Sequence, residues 1–416
     1  MKNIGLINLG CPKNIVDLEV MLSFLDGYSI TLKLKEADFI IINTCAFIKS
    51  ARRETMDVIK TVFQNKNKKA KVIIAGCFVS KDVKLLMNKF KDVYAWIGVN
   101  DIKNIRNALI NGGIFISSKP FIYNHKQRKV LLNSYSAYVK ISEGCNHKCS
   151  FCVIPQIKGR YRSREIKDIV NEIKNLTDAG IKEINLISQD SSFYGRDVYG
   201  YYALDKLIKE ILKSVKKYFW IRIMYLYPDF NLIKKIINLM KKDGRICRYF
   251  DIPFQHINTE ILRNMQRGYS RDDVENIINF INHELPDAVI RGSFIAGYPG
   301  ETDVKFNELL FFVKSGKINI PGFFKYSDEP GTPAYNKKNK VKNELINKRY
   351  NVLLRAAKKV RHYKKKEGKE KVLITGIKKN NLYTARTQQN APDIDDYLLI
   401  SSEKDLIAGN FYDIKI

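Results

Sequence analysis

No run of apolar residues in this sequence approaches the roughly 18 that a membrane-spanning helix needs. The opening MKNIGLINLGCPKN has too short an apolar stretch for a secretory signal, and reads as a buried strand entering a glycine turn. Repeats beyond a strand–helix alternation are missing, as is any low-complexity tract longer than a few lysines. What remains is an ordinary globular composition, 45% apolar and 28% charged, over 416 residues, long enough for two or three domains. These absences predict a cytoplasmic chain with no membrane partner. Its seven cysteines are then reduced thiols or ligands, not disulfides.

Negative charge is also scarce. Lys and Arg number 72 against 43 Asp and Glu, a net charge of +29. That excess suits an anionic partner such as RNA or the ribosome, but Lys, Asn and Ile crowd the whole chain and not one face. Coding bias would produce the same balance, so charge names no partner.

What is present is alternation. From NIGLINLG through DIKNIRNALING, short apolar runs alternate with amphipathic segments, which predicts a Rossmann-like parallel sheet over residues 1–122. The polar stretch YNHKQRK (123–129) reads as a linker. Residues 131–365 offer six strand candidates: SAYVKIS, INLISQ, WIRIMYLY, YFDIPFQ, AVIRGSFIAG and KINIPGFFKYS. With helical segments between them, they predict a partial (β/α)6 barrel and a basic helix leading out of it. Residues 366–416 hold only short β-rich runs separated by turns, as in a small antiparallel β-barrel. The fold class is therefore α/β with a β appendage.

The cysteines carry the chemistry. EGCNHKCSFC places Cys145, Cys149 and Cys152 on one loop after the first barrel strand, in a C-x3-C-x2-C spacing with no fourth cysteine nearby. Zinc favours a closed shell of four ligands, and the one additional candidate here is His147 inside the loop. Three thiolates instead suit a [4Fe–4S] cluster with one iron open to a small molecule. Cys11, Cys45 and Cys77 each follow a different predicted parallel strand of the first domain. Ligands of open α/β sheets bind along that edge, so these three can converge on a second cluster. Cys247 reads as structural.

The loop, with Phe151 before its third cysteine, resembles the radical S-adenosylmethionine (SAM) superfamily. The whole layout resembles its methylthiotransferases. LGCPKNIVDLE, ISQDSSFYG, YFDIPFQH, FIAGYPGET, FFKYSDEPGTPAY and ARTQQNAPDIDDYLLI are similar to blocks of the ribosomal-protein branch. That resemblance implies two [4Fe–4S] clusters on the six cysteines, SAM as cofactor, and a TRAM-like terminal module. It implies transfer of a methylthio group to the β-carbon of an aspartate in protein twelve of the small ribosomal subunit, using two SAM and a sulfur species. An electron donor, a sulfur source and a monomeric chain go with it. The arginine-rich GRYRSR (159–164) leans toward the relatives that modify an adenosine in tRNA, which is the alternative substrate.

Expected at the cofactor are Phe151, Gln189 and Gln255 at the barrel mouth, and Gly297 and Gly300, which let backbone approach a ligand closely. Asp190, His256, Arg162 and Arg164 are further candidates near it. In the terminal module, Arg386, Asp393 and Asp395 are expected to dock the basic ribosomal protein. Asp396 stands where many relatives have glycine.

Overall fold

The computed structural model describes residues 2–131, 135–363, 368–379 and 381–415. The boundary expected at 365/366 lies outside the described residues.

The first domain is a six-stranded parallel sheet in the order Tyr28–Thr31, Lys2–Asn8, Phe39–Thr44, Lys71–Gly76, Ala95–Ile97, Gly113–Phe115. Its centre is the run FIIINT, buried at every position, as expected of a strand covered on both faces. The two edge strands, Tyr28–Thr31 and Gly113–Phe115, escape a reading by apolar runs because they are short and partly exposed. Connections leave Lys2–Asn8 and Phe39–Thr44 toward opposite edges. The carboxyl ends of these neighbours therefore form the switch point where such sheets bind ligands.

Six parallel strands follow in two groups of three. Trp220–Ile223, Glu183–Ile187 and Ser136–Lys140 form one; Tyr249–Gln255, Val289–Ala296 and Ile320–Lys325 form the other. A single bridge, Ile221 to Ile246, joins them near the seam. Alternate residues such as Val139, Leu186, Ile223 and Ile290 face the surrounding helices in one large apolar core. The other set includes Lys140, Glu183, Arg222 and Asp251, all buried. The barrel interior thus holds buried ion pairs among apolar side chains such as Tyr138, Trp220, Met224 and Tyr249. Helix starts are marked locally: Ser270 and Asp273 make a capping box, and Asp229, Asn258 and Thr302 cap three more helices.

The C-terminal residues form a four-stranded antiparallel sheet ordered Leu398–Ser401, Leu382–Arg386, Lys369–Lys379, Phe411–Lys415. Its small core comprises Val372, Ile374, Tyr383, Ala385, Ile400 and Leu406. The segment after Leu382–Arg386 closes the amino-terminal end of the barrel. Arg386 pairs with Glu183, which also holds Arg222 at 2.9 Å. Arg222 in turn donates to the carbonyls of Gln388 (2.8 Å) and Asn390 (2.9 Å). The Tyr249 hydroxyl donates to Asp395 at 2.6 Å, and the Tyr138 hydroxyl to Asp393 at 3.0 Å.

This corrects the docking expectation. Arg386 and the side chain of Asp395 are buried inside the chain and fasten the terminal sheet to the barrel. Asp393 is exposed, though its carboxylate is shared with Tyr138. Asp396 does not adopt a left-handed conformation, so its position does not demand glycine.

Candidate cluster sites and the space between them

At the switch point, Cys11 caps the helix Pro12–Ser23 and Cys77 begins the helix Cys77–Lys89. Helix N-termini favour thiolates through their unsatisfied N–H groups and dipole. Gly10 precedes Cys11 at φ +98°, and a Cβ there would lie 2.7 Å from the Cβ of Cys45. Only glycine lets these two loops approach so closely. Asn14 stitches the site: its Nδ2 donates to the carbonyls of Leu9 (2.7 Å) and Thr44 (3.0 Å). Its Oδ1 stands 3.9 Å from the sulfurs of both Cys11 and Cys77. Asn43 donates to Asn8 (2.9 Å) and to the carbonyl of Asn14 (2.7 Å), tying the strand ends together. Burial raises the Cys45 thiol pKa and pushes Cys77 up to about 12, with Lys158 pulling the latter down.

The loop triad is built the same way. Gly144 (φ +82°) precedes Cys145, and a Cβ there would meet the Arg160 carbonyl oxygen at 2.2 Å. The Cys145 N–H donates to the Gly159 carbonyl at 3.1 Å, and the Ser150 N–H to Met265 at 3.0 Å. Arg267 is stacked on Tyr227 and donates to the Cys149 sulfur at 3.3 Å. Burial pushes Cys145 up to about 11 and Cys152 up to about 12. Thiols so placed keep their protons until a metal displaces them. His147 is occupied elsewhere: its Nε2 lies 2.6 Å from Asp190 and its ring stacks on Tyr227 at 4.5 Å.

The two triads are joined by short, buried connections. Val153 and Ile157, just past Cys152, share an apolar cluster with Cys77 and Phe78. Asp17, on the helix that Cys11 begins, holds Lys140 and also Lys158, the latter at 2.9 Å. Glu329, from the loop after the last barrel strand, receives Arg52 (2.6 Å) and Lys81 (2.8 Å) of the first domain. Lys13 reaches over the Tyr225 ring, 3.5 Å from its centroid, at the carboxyl end of the third barrel strand.

Family profiles match three segments: UPF0004 over residues 3–98, the radical SAM superfamily over 139–313 and the TRAM domain over 368–416. A ribosomal protein uS12 methylthiotransferase RimO from Dictyoglomus thermophilum is 39% identical, over 97% of this chain and 94% of its own length. Those of Protochlamydia amoebophila and Clostridioides difficile are 38% and 37% identical, over 99% and 100% of this chain and 90% and 96% of theirs. This chain belongs to the RimO family. Among solved structures, the radical SAM methyltransferase TsrM from Kitasatospora setae aligns with a TM-score of 0.56 at 14% identity, covering 80% of this chain and 74% of that one. The cobalamin-dependent radical enzyme OxsB aligns at 0.53 and 12%, over 85% and 56%. Both support the fold.

Membership in RimO and the radical SAM superfamily makes the protein a transferase that uses SAM and [4Fe–4S] clusters. The residues present fit them. Each triad offers thiols alone, and no group of three or more ligands among the described residues could share a single metal ion. A cluster, which takes its thiolates on separate irons, needs no such convergence. Two buried polar atoms beside Glu143 lack a protein partner: Gln189 Oε1 and Arg162 Nε. Gln189 donates through its other atom to Glu143 at 2.8 Å, and Arg162 pairs with Glu143 in the strand ladder. Both are free to meet a ligand two residues from Cys145.

The other expected cofactor residues also make contacts within the chain. A Cβ on Gly297 would lie 2.3 Å from the Ile346 side chain, and one on Gly300 2.8 Å from that of Asn339, so each glycine permits the close approach of a neighbouring side chain. His256 is wholly buried beside Glu301, and Arg164 is committed to Asp168 and Glu172. Phe151 packs on the small cluster of Ile261, Met265 and Tyr298. Gln255 ends its strand at φ +72°, a strained conformation at the barrel mouth. Cys247 lies in the core. The sequence reading missed Lys13, Asn14, Asn43 and Arg267. The Asn-Thr pair ending an otherwise apolar strand was the available signal for Asn43.

Proposed function

We propose that this protein is a radical SAM methylthiotransferase that places a methylthio group on the β-carbon of an aspartate in ribosomal protein uS12. The observation that carries the reading is the pair of three-thiol sites, each short of a fourth ligand, on two domains locked face to face. In this reading Cys145, Cys149 and Cys152 hold one [4Fe–4S] cluster, and Cys11, Cys45 and Cys77 hold the other. When bound, the cofactors supply a 5′-deoxyadenosyl radical on one side and a transferable methylated sulfur on the other.

The chain's own groups position and isolate this chemistry. An aspartate β-C–H is too weakly acidic for any side chain here to remove as a proton, so the protein must exclude water from a reactive radical instead of offering a base. The first domain does this by covering the barrel mouth, held by Asp17 against Lys140 and Lys158 and by Glu329 against Arg52 and Lys81. Gln189 Oε1 and Arg162 Nε present a buried acceptor and donor to SAM, whose amino and carboxylate groups need such partners. The stack of His147 on Tyr227, anchored by Asp190, fixes the loop that carries the thiols. Phe151 and Gln255 border the same region. Gly297 and Gly300 shape the turn behind it, and Asp393 remains available to a basic partner at the other end. The electron donor and sulfur source come from outside the chain. The protein works as a cytoplasmic monomer on free or ribosome-bound uS12.

The test is anaerobic reconstitution with iron, sulfide, SAM, a reductant and uS12, followed by mass spectrometry of uS12. The expected gain corresponds to methylthio replacing hydrogen on one aspartate. Cys145→Ala removes both the gain and deoxyadenosine release; Cys11→Ala removes the gain alone. Deoxyadenosine release without modified aspartate would refute uS12 as substrate and direct the same assay to tRNA.

A further inference from the structure

Four cations, two buried and two partly buried, crowd the region between the triads. Three are committed: Lys140 to Asp17 and Glu143, Lys158 to Asp17, and Arg291 to Asp251 at 2.9 Å. The fourth, Lys13, makes no hydrogen bond or ion pair among the described residues and rests on the face of Tyr225. The nearby carboxylates do not compete for it. Glu143 is held by Lys140 at 2.6 Å and by Gln189; Asp251 is held by Arg291 and by the Tyr225 N–H at 3.0 Å. Tyr225 itself sits at φ +59°, a costly conformation for a bulky residue. Lysine on an aromatic face is attracted to the ring but keeps N–H donors for an anion. An unpaired ammonium and a strained residue beneath it together mark a recognition point.

Its place is also right for one particular anion. The reacting carbon in the proposed function is bonded directly to the carboxylate carbon of the target aspartate. Whatever receives that carboxylate must therefore lie between the two triads. Lys13 stands two residues after Cys11 and projects over the carboxyl end of a barrel strand, and its side chain is only partly buried, so a ligand can reach it. We propose that Lys13 receives the side-chain carboxylate of the target aspartate and thereby selects aspartate over asparagine. This rests on the reading of the site as an aspartate methylthiotransferase.

The test uses the anaerobically reconstituted full chain with SAM but without reductant, so that binding is read without turnover. Affinity is measured for uS12 carrying Asp or Asn at the target position. The unaltered enzyme should bind the Asp form about 10- to 100-fold more tightly, the usual range for a hydrogen bond to a charged group. Lys13→Met should bring that ratio to about one by weakening the Asp form alone, and Lys13→Arg should retain part of it. Iron content and the electron paramagnetic resonance (EPR) spectrum of each variant establish that both clusters are in place. A ratio unchanged in Lys13→Met overturns the proposal. So does equal loss for both forms with an altered spectrum of the N-terminal cluster, which would make Lys13 a counter-charge to its thiolates. An enzyme that modifies uS12 normally but shows no Asp preference refutes the Lys13 assignment alone. An enzyme that neither binds nor modifies uS12 refutes the proposed function and this inference with it.

Discussion

The two cysteine triads reach similar ends by different routes. Cys145, Cys149 and Cys152 lie within eight residues on one loop, braced by the nearby Gly159 carbonyl and, from farther along the chain, by the Met265 carbonyl and Arg267. Cys11, Cys45 and Cys77 come from three strands and meet only because the sheet order brings those ends together. The first site is a property of a segment, and the second is a property of a domain. The difference teaches that the N-terminal site should fail whenever the sheet or its attachment to the barrel loosens, while the loop site should fail only when its own turn is disturbed. In both, a left-handed glycine sets the first cysteine in place.

The largest expected effect tests that shared device. Gly10→Ala puts a methyl against Cys45, and Gly144→Ala puts one against the Arg160 carbonyl, each at a backbone angle that side chains resist. Each variant should lose one cluster's iron and keep the other, as read by iron analysis and EPR. Deoxyadenosine release should persist in Gly10→Ala and vanish in Gly144→Ala. Loss of both clusters in either variant would break the claim that the sites are built independently.

A smaller effect separates the sites by their dependence on domain contact. Glu329→Gln leaves Arg52 and Lys81 without their carboxylate, a loss of about 3 kcal/mol for a buried pair. Thermal unfolding of the cluster-free protein should show a lower Tm, and the N-terminal cluster should become the more labile one. Acid acts on the same contact. Burial raises the Glu329 pKa, but hydrogen bonds from Lys81, Ser327 and Arg52 outweigh it and leave the carboxyl below its usual range. Glu172 is held low in the same way by Arg164 and Arg128. A lowered folded-state pKa stabilises above the unfolded carboxylate value, about 4.3, and that stability is lost as pH falls through the folded value. The Tm of the cluster-free protein should therefore be flat above about pH 5 and fall below it. The fall should be shallower in Glu329→Gln.

The smallest effect concerns tuning. Arg267 donates to Cys149, and a cationic donor to a ligand sulfur favours the more negative, reduced cluster. Arg267→Met should lower the loop cluster's midpoint potential by on the order of 60 mV, the one-electron equivalent of about 1.4 kcal/mol. The N-terminal cluster should not move. An EPR-monitored redox titration reads both in one sample, and equal shifts would mean that the two sites are not electrostatically separate.

Much of this architecture was legible from residue patterns. Continuous apolar runs such as FIIINT and the six strands of the barrel announce themselves because burial on both faces permits no other composition. Edge strands such as Tyr28–Thr31 lack that constraint and were passed over. The acidic PDIDD run looked like a docking surface because sequence shows charge but not its partner. Its partners, Tyr138 and Tyr249, come from elsewhere in the chain, and the nearby pair Arg386–Glu183 is separated by 203 residues. Gly297 and Gly300 show the same limit, since a glycine reports that something comes close without saying what.

By itself the sequence determined the six thiols, the spacing that suits three of them to one cluster, and the three successive layers of the chain. Those follow from short-range rules: ligand spacing on a loop, and periodicity within a strand or helix. Only the tertiary structure decided which charges were already spent. It paired Lys140, Lys158 and Arg291, placed Arg267 on Cys149, turned Arg386 and Asp395 inward and left Lys13 unpaired over Tyr225. A charge finds its partner through space, at separations such as the 118 residues between Arg267 and Cys149, and local pattern carries no record of that distance.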